Sequence, residues 1–236
     1  MPGHRILEKA VRLVLPHVRE AVCPPQPCLP PEPVLWRELT FCILGSRVPS
    51  QLAEAATEVL FRSGVISLPL SCSDPLDLQE GIASLLSQPI YPPITRNGSG
   101  RKYRYPRVRA KQLAGTAHDI YLSGLSLSAL IGPGNDACEA RIAIARAAQG
   151  IGPKQASLFL TNIGYTDDLA ILDSHVVEFM CATGMIDSRP RLGSFPEYGA
   201  LESILRAYAD GLDSSLAVLD LAIWTIMRTY SAGHWQ

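Results

Sequence analysis

The chain has 236 residues, 47% of them apolar and 18% charged, with a formal net charge of -1. That composition supports one large domain or two small lobes around a sizeable core and excludes wholesale disorder. It also excludes a uniformly basic nucleic-acid coat, so any DNA grip must come from local charge.

In chain order, Met1–Arg5 leads into Glu8, Lys9 and Arg12 with no signal-peptide apolar stretch, and no apolar run approaches the roughly 18 to 20 residues that span a bilayer. The expectation is an intracellular protein with no membrane partner. Ile6, Val11, Leu13 and Val14 predict a first helix over residues 4–22. The Pro-rich segment Pro24–Pro33 is a rigid connector. A second helix starts near Val34, carries Trp36, Leu39, Phe41, Ile43 and Leu44, and stops at Gly45-Ser46. Pro49-Ser50 opens a helix through Phe61, and Asp74-Pro75 is a cap followed by a first-turn proline, leading to Leu86. Residues 89–100 read as a loop. Helices are predicted over 106–122, 126–131, 136–148 and 153–163.

Asp173 is placed to cap a helix to Thr183. Ser194 and Glu197 form a capping box for a helix to Ala209, and Ser214 or Ser215 caps the last helix through Tyr230. Strand alternation is scarce, so the fold class is all-α: two helical lobes, with the first helix returning to the C-terminal lobe. The predicted division is 1–33 (helix and connector), 34–130 (lobe with a basic loop) and 131–236 (a lobe carrying a helical hairpin). The six cysteines stand apart. Cys23 and Cys28 flank prolines, while Cys42, Cys138 and Cys181 sit singly on helices, which fits small buried hydrophobes better than metal ligands.

The most informative stretch is Gln149-Gly150-Ile151-Gly152-Pro153-Lys154. It joins two amphipathic helices through a tight turn whose glycines permit positive φ and let a phosphate approach backbone N–H groups at a helix start. The same pattern also fits an ordinary corner between helices. Lys154 is set against its local field, since the positive end of a helix repels a cation. That field lowers the pKa of the amine and favours the free base a Schiff-base nucleophile needs. A simple phosphate-binding lysine is the alternative. Asp173 follows 19 residues later, a separation that can bring the next helix start back beside Lys154. Its carboxylate can cap that helix, or stabilise a cationic sugar and orient an amine.

A cluster of Arg96, Arg101, Lys102, Arg104, Arg107, Arg109 and Lys111, interleaved with Tyr103 and Tyr105, contains no acidic residue and forms a candidate backbone-contact patch. Trp224 with Asp220 one turn earlier forms a candidate base pocket, an aromatic face beside a polar group, although Trp224 also suits a core position.

Gly150-Ile151-Gly152-Pro153-Lys154, Asn162-Ile163-Gly164-Tyr165 and Leu172-Asp173-Ser174-His175 resemble the helix-hairpin-helix DNA glycosylase superfamily, and among its branches the archaeal-type 8-oxoguanine DNA glycosylase/AP lyases. The resemblance implies that Lys154 attacks C1′ of the damaged nucleotide and that Asp173 assists. It implies that His175 lies near a backbone phosphate, that Gly150 and Gly152 hold the strand, and that Ser46-Arg47 fills the gap left by a flipped base. The site would lie in a cleft between lobes, and the partner would be double-stranded DNA carrying a damaged base, bound by a monomer.

Some relatives hold an iron–sulfur cluster on four closely spaced cysteines near the C-terminus. No cysteine follows Cys181, so no cofactor is expected. Relatives of this branch end in a lysine whose carboxylate reads the base. Here the last residues are His234-Trp235-Gln236, so that contact is absent or supplied differently. Two alternatives stay open: a glycosylase for another modified base, and a non-catalytic helix-hairpin-helix DNA-binding module.

Overall fold

The computed structural model describes residues 2–22, 24–68, 74–91, 100–132, 136–190 and 192–233. Helices dominate: α1 (Pro2–Arg19), α2 (Glu32–Leu44), α3 (Ser50–Arg62) and α4 (Pro75–Ser87) precede a two-stranded antiparallel ladder of β1 (Pro89–Tyr91) and β2 (Arg101–Lys102). Then follow α5 (Pro106–Ala117), α6 (Leu127–Ile131), α7 (Ala137–Ala147), α8 (Pro153–Asn162), α9 (Ser174–Ala182), α10 (Phe195–Asp210) and α11 (Leu216–Gly233). The predicted all-α class holds.

The ladder is a correction to the loop read over 89–100. Pro89 pairs with Lys102 and Tyr91 with Arg101, and strands this short carry too little alternation to be read locally. Arg96 and the last residues, 234–236, lie outside the described residues. The helix expected over 106–122 also changes character, because α5 gives way to a π-helical turn at His118–Leu122. Most caps follow the sequence reading. Asp74 accepts from the N–H of Leu76, and the Ser194 hydroxyl accepts from the N–H of Glu197 and donates to its carboxylate. The last helix is the exception: Ser214 Oγ donates to the Ser215 carbonyl and Ser215 Oγ is buried without a hydrogen-bond partner among the described residues, so neither hydroxyl is seen to cap α11.

The chain forms two compact units, residues 28–159 and residues 1–27 with 160–236. The cut falls inside α8, not near residue 130 as the sequence suggested. In the 28–159 unit, α2 buries Leu35, Trp36, Leu39, Ile43 and Leu44. Trp36 donates from Nε1 to the Ile66 carbonyl at 2.8 Å and meets Tyr121 edge-on at 5.4 Å. The Glu32 carboxylate accepts from Leu127 N–H (2.6 Å) and Ser128 N–H (3.1 Å), so a negative charge caps the positive end of α6. In the other unit, α1 packs on α9 and α11: Leu7, Val11 and Leu15 join one core with Val176, Phe179, Met180, Leu219, Ile223 and Met227. The amphipathic first helix is therefore completed by residues more than 150 positions away. Among the described residues no helix is long and apolar enough to cross a membrane.

Candidate active site

Lys154 sits in the first turn of α8, which begins at Pro153 and closes its first backbone bond from Ala156 N–H to the Gly152 carbonyl at 3.0 Å. Proline suits that position because the first-turn N–H has no helical partner to lose. The two hairpin glycines differ. Gly150 has φ +79°, and a Cβ there would come within 2.4 Å of the Gln112 side chain. Gly152 has no positive φ, and a Cβ there would meet nothing within 4 Å. The expected positive φ therefore applies to Gly150 alone, and the chain itself leaves the space at Gly152 open.

The hairpin is tied to α5. Gln149 N–H donates to Thr116 Oγ1 (2.9 Å), Gln149 Nε2 donates to Asp119 Oδ2 (3.0 Å), and the amide of Gln149 lies where a Cβ on Gly115 would stand. Gly115 thus allows the turn to close on α5. Lys154 also faces the neighbourhood of α2. Burial pushes the Cys42 thiol well up, the nearby Glu38 carboxylate adds to this, and the charge of Lys154 acts against it. Cys42 Sγ lies 3.8 Å from Glu38 Oε1.

Asp173 caps α9 with both bonds on one oxygen, Oδ1 accepting from His175 N–H at 2.8 Å and Val176 N–H at 2.9 Å. Oδ2 makes no hydrogen bond among the described residues, and the side chain is half-buried. The preceding segment is held from α10: Tyr198 Oη donates to the Ala170 carbonyl (2.7 Å) and accepts from Leu172 N–H (3.0 Å), while Glu202 Oε2 accepts from Ala170 N–H (2.9 Å). These groups fix the approach to the cap, so the carboxylate is preorganised. His175 Nδ1 is buried with no hydrogen-bond partner among the described residues.

The basic patch is partly as expected. Arg101, Lys102, Arg104, Arg107 and Lys111 are exposed, and Arg104 stacks 5.1 Å over Tyr105. Arg109 and Tyr103 are corrections, being 6% and 3% exposed. Tyr103 Oη donates to the Leu44 carbonyl at 2.6 Å and Arg109 Nη2 to the Ser46 carbonyl at 2.7 Å. Burial pushes the Tyr103 phenol up to about 12. Both side chains hold the turn after α2, where Ser46 is half-buried and Arg47 is exposed with φ +60°.

On α11, Trp224 is 36% exposed and so stands outside the core, and Asp220 Oδ1 is buried one turn earlier. Arg228 lies 5.0 Å over the Trp224 ring, a neighbour legible as an i, i+4 cation–aromatic pair but not singled out from sequence. Ser46, Arg47, Arg104, Arg107, Gly150, Gly152 and Lys154 belong to the 28–159 unit, whereas Asp173, His175, Asp220 and Trp224 belong to the other.

A family profile described as 8-oxoguanine DNA glycosylase matches residues 76–230, a span that holds the hairpin, Lys154, Asp173 and Trp224. A protein of Thermotoga sp. strain RQ2 named 8-oxoguanine DNA glycosylase/AP lyase is 30% identical over 194 residues, covering 82% of this chain and 80% of that protein. The crystal structure of the 8-oxoguanine DNA glycosylase of Thermotoga maritima matches with a TM-score of 0.63 at 27% identity, covering 95% of this chain and 90% of that one. A Methanocaldococcus jannaschii 8-oxoguanine glycosylase/lyase, solved with a 15mer DNA containing 8-oxoguanine, shares the fold with a TM-score of 0.62 at 24% identity, over 94% of this chain and 89% of that one.

Proposed function

The chain belongs to the 8-oxoguanine DNA glycosylase family, and from that premise we propose that Lys154 and Asp173 carry out base excision and strand nicking on damaged double-stranded DNA. The reaction is excision of 8-oxoguanine followed by cleavage at the abasic site. Lys154 Nζ, as the free amine, attacks C1′; the C1′–N9 bond breaks and its electron pair leaves with the base, which takes up a proton. The attached nitrogen then loses one proton, and its lone pair expels the ring oxygen, which takes up a proton, leaving a protonated iminium at C1′. Loss of a proton from C2′ expels the 3′ phosphate oxygen by β-elimination, and water releases the enzyme.

Asp173 Oδ2 stabilises the cationic sugar and orients the amine, while Oδ1 keeps the helix cap. The observation that carries this reading is the division of labour within that carboxylate, one oxygen taking both helix N–H groups and the other making no hydrogen bond among the described residues. Gly152 and its neighbours grip the strand, with His175 at a phosphate. Arg104 and Arg107 supply charge to the backbone, and the Ser46-Arg47 turn fills the vacated stack. Trp224 stacks on the base, and Asp220 accepts the N7–H that distinguishes 8-oxoguanine from guanine. Guanine lacks that N–H donor, and the lost hydrogen bond would cost about 1 to 3 kcal/mol.

The test is single-turnover excision on duplexes carrying 8-oxoguanine opposite each normal base, beside duplexes with uracil, 3-methyladenine and an oxidised pyrimidine. The expected result is fastest release of 8-oxoguanine. Release of another lesion with 8-oxoguanine untouched would overturn the base assignment and leave the lysine chemistry standing.

A further inference from the structure

We propose that Arg109 is a positioning residue that ties the Ser46-Arg47 turn to the Gly150 hairpin, so that the two DNA-contacting turns of the 28–159 unit are set in place together. The inference rests on the reading above, in which both turns touch DNA. Arg109 lies in the first turn of α5, and its charge is buried, which is expensive unless the guanidinium finds acceptors; its Nε has none among the described residues, so the two Nη groups carry the compensation. One arm, Nη2, donates to the Ser46 carbonyl at 2.7 Å; the other, Nη1, donates to Gln112 Oε1 at 2.5 Å. Gln112 in turn occupies the space beside Gly150 where a side chain would stand. The path therefore runs turn carbonyl, guanidinium, amide, hairpin glycine, from the half-buried Ser46 through the buried Arg109 and half-buried Gln112 to the exposed Gly150.

Three further features support a positioning role. The carbonyl two residues earlier, that of Leu44, is held by Tyr103 Oη, so the turn is held at two points by residues of the 103–109 stretch. The turn bears the only non-glycine residue with positive φ among the described residues of this unit, Arg47, a conformation that persists only where its surroundings hold it. The other end of α5 receives the hairpin through Thr116 and Gly115. A surface arginine serving a phosphate would need none of this. A lysine cannot replace Arg109, because one ammonium on a flexible stem does not span two acceptors in a fixed fork.

The test is a double-mutant cycle read as Kd for a duplex holding a non-cleavable 2′-fluoro 8-oxoguanine nucleotide. Arg47→Ala keeps the backbone cost of the turn and removes its side chain; Arg109→Lys keeps the buried charge and breaks the fork. Each is expected to weaken binding about tenfold, and the pair also about tenfold, because both remove the same contact. Gln112→Leu, which cuts only the hairpin side of the link, is expected to weaken binding and to fall short of additivity with Arg47→Ala. Loss of stability alone would not produce that pattern, so melting temperatures serve as the control. A roughly hundredfold additive loss, for either partner of Arg47→Ala, would overturn the coupling while leaving the turn on the DNA. Wild-type affinity in Arg47→Ala would instead remove the turn from the DNA, and the coupling with it.

Discussion

Gly150 and Gly152 stand two residues apart and should respond oppositely to alanine. At Gly150, φ +79° costs an L-residue about 1 to 2 kcal/mol. The new Cβ would lie 2.4 Å from the amide of Gln112, which must move. A free glutamine tip would yield cheaply, but this one accepts from Arg109 Nη1 at 2.5 Å. Displacing it forfeits a charge-assisted bond of about 1.5 to 3 kcal/mol. Gly150→Ala should therefore destabilise the protein by roughly 3 kcal/mol, a fall of roughly 10 °C in melting temperature for a chain of this length. Gln112→Ala removes the obstacle, so in that background Gly150→Ala should cost only the backbone part, about 1 to 2 kcal/mol. Gly152→Ala meets nothing in the chain. It should lower stability by less than about 1 kcal/mol, the scale of alanine replacing glycine at a helix N-cap. If a phosphate approaches there, Gly152→Ala should nevertheless weaken DNA binding about tenfold or more. Urea denaturation and titration with labelled duplex separate the two effects. Equal costs for Gly150→Ala in both backgrounds would refute the steric argument, and unchanged DNA affinity in Gly152→Ala would refute the phosphate grip.

Three other outcomes are expected. Asp173→Asn retains a good helix cap, so stability should drop by no more than about 0.5 kcal/mol, while single-turnover excision should slow roughly 100-fold; unchanged excision would reduce Asp173 to a cap. Removing Arg104 and Arg107 together should weaken binding to damaged and undamaged duplex alike and lower the salt slope by about 2, and a loss confined to damaged DNA would move them to the base pocket. The fold keeps Tyr103 as the neutral phenol, so its contribution is full below the unfolded value near 10 and is lost as pH rises toward about 12. Alkaline denaturation should therefore show a loss on the order of 2 kcal/mol across that window, which Tyr103→Phe reduces; an unchanged alkaline profile in Tyr103→Phe would contradict it. Burial shifts Tyr121 in the same direction, so part of the loss should survive the substitution.

What could be read from sequence was local. Asp74, Asp173 and Ser194 announce helix starts because a cap bonds within three residues, and Gly150 announces its turn because φ is a property of one residue. What could not be read was long-range. Arg109 and Tyr103 sit in a basic, aromatic stretch that looks solvent-facing, yet their partners are carbonyls 63 and 59 residues earlier. Nothing in the local pattern tells a buried arginine from a phosphate-binding one. The β1–β2 ladder and the division inside α8 likewise depend on pairings that periodicity does not carry. Gly152 shows the converse: a glycine that sequence reads as a bend is, in the fold, an opening. Trp224 was open between core and pocket, and its 36% exposure, set by packing on other elements, decides against the core.

The central claim is that Lys154 is the nucleophile, and borohydride trapping tests it most directly. Wild-type protein incubated with an 8-oxoguanine duplex and borohydride should yield a covalent protein–DNA adduct, with the modified peptide containing Lys154. Lys154→Gln should bind the duplex with near wild-type affinity and give no adduct and no nick. An adduct of undiminished yield from Lys154→Gln would assign the chemistry to another amine and contradict the account.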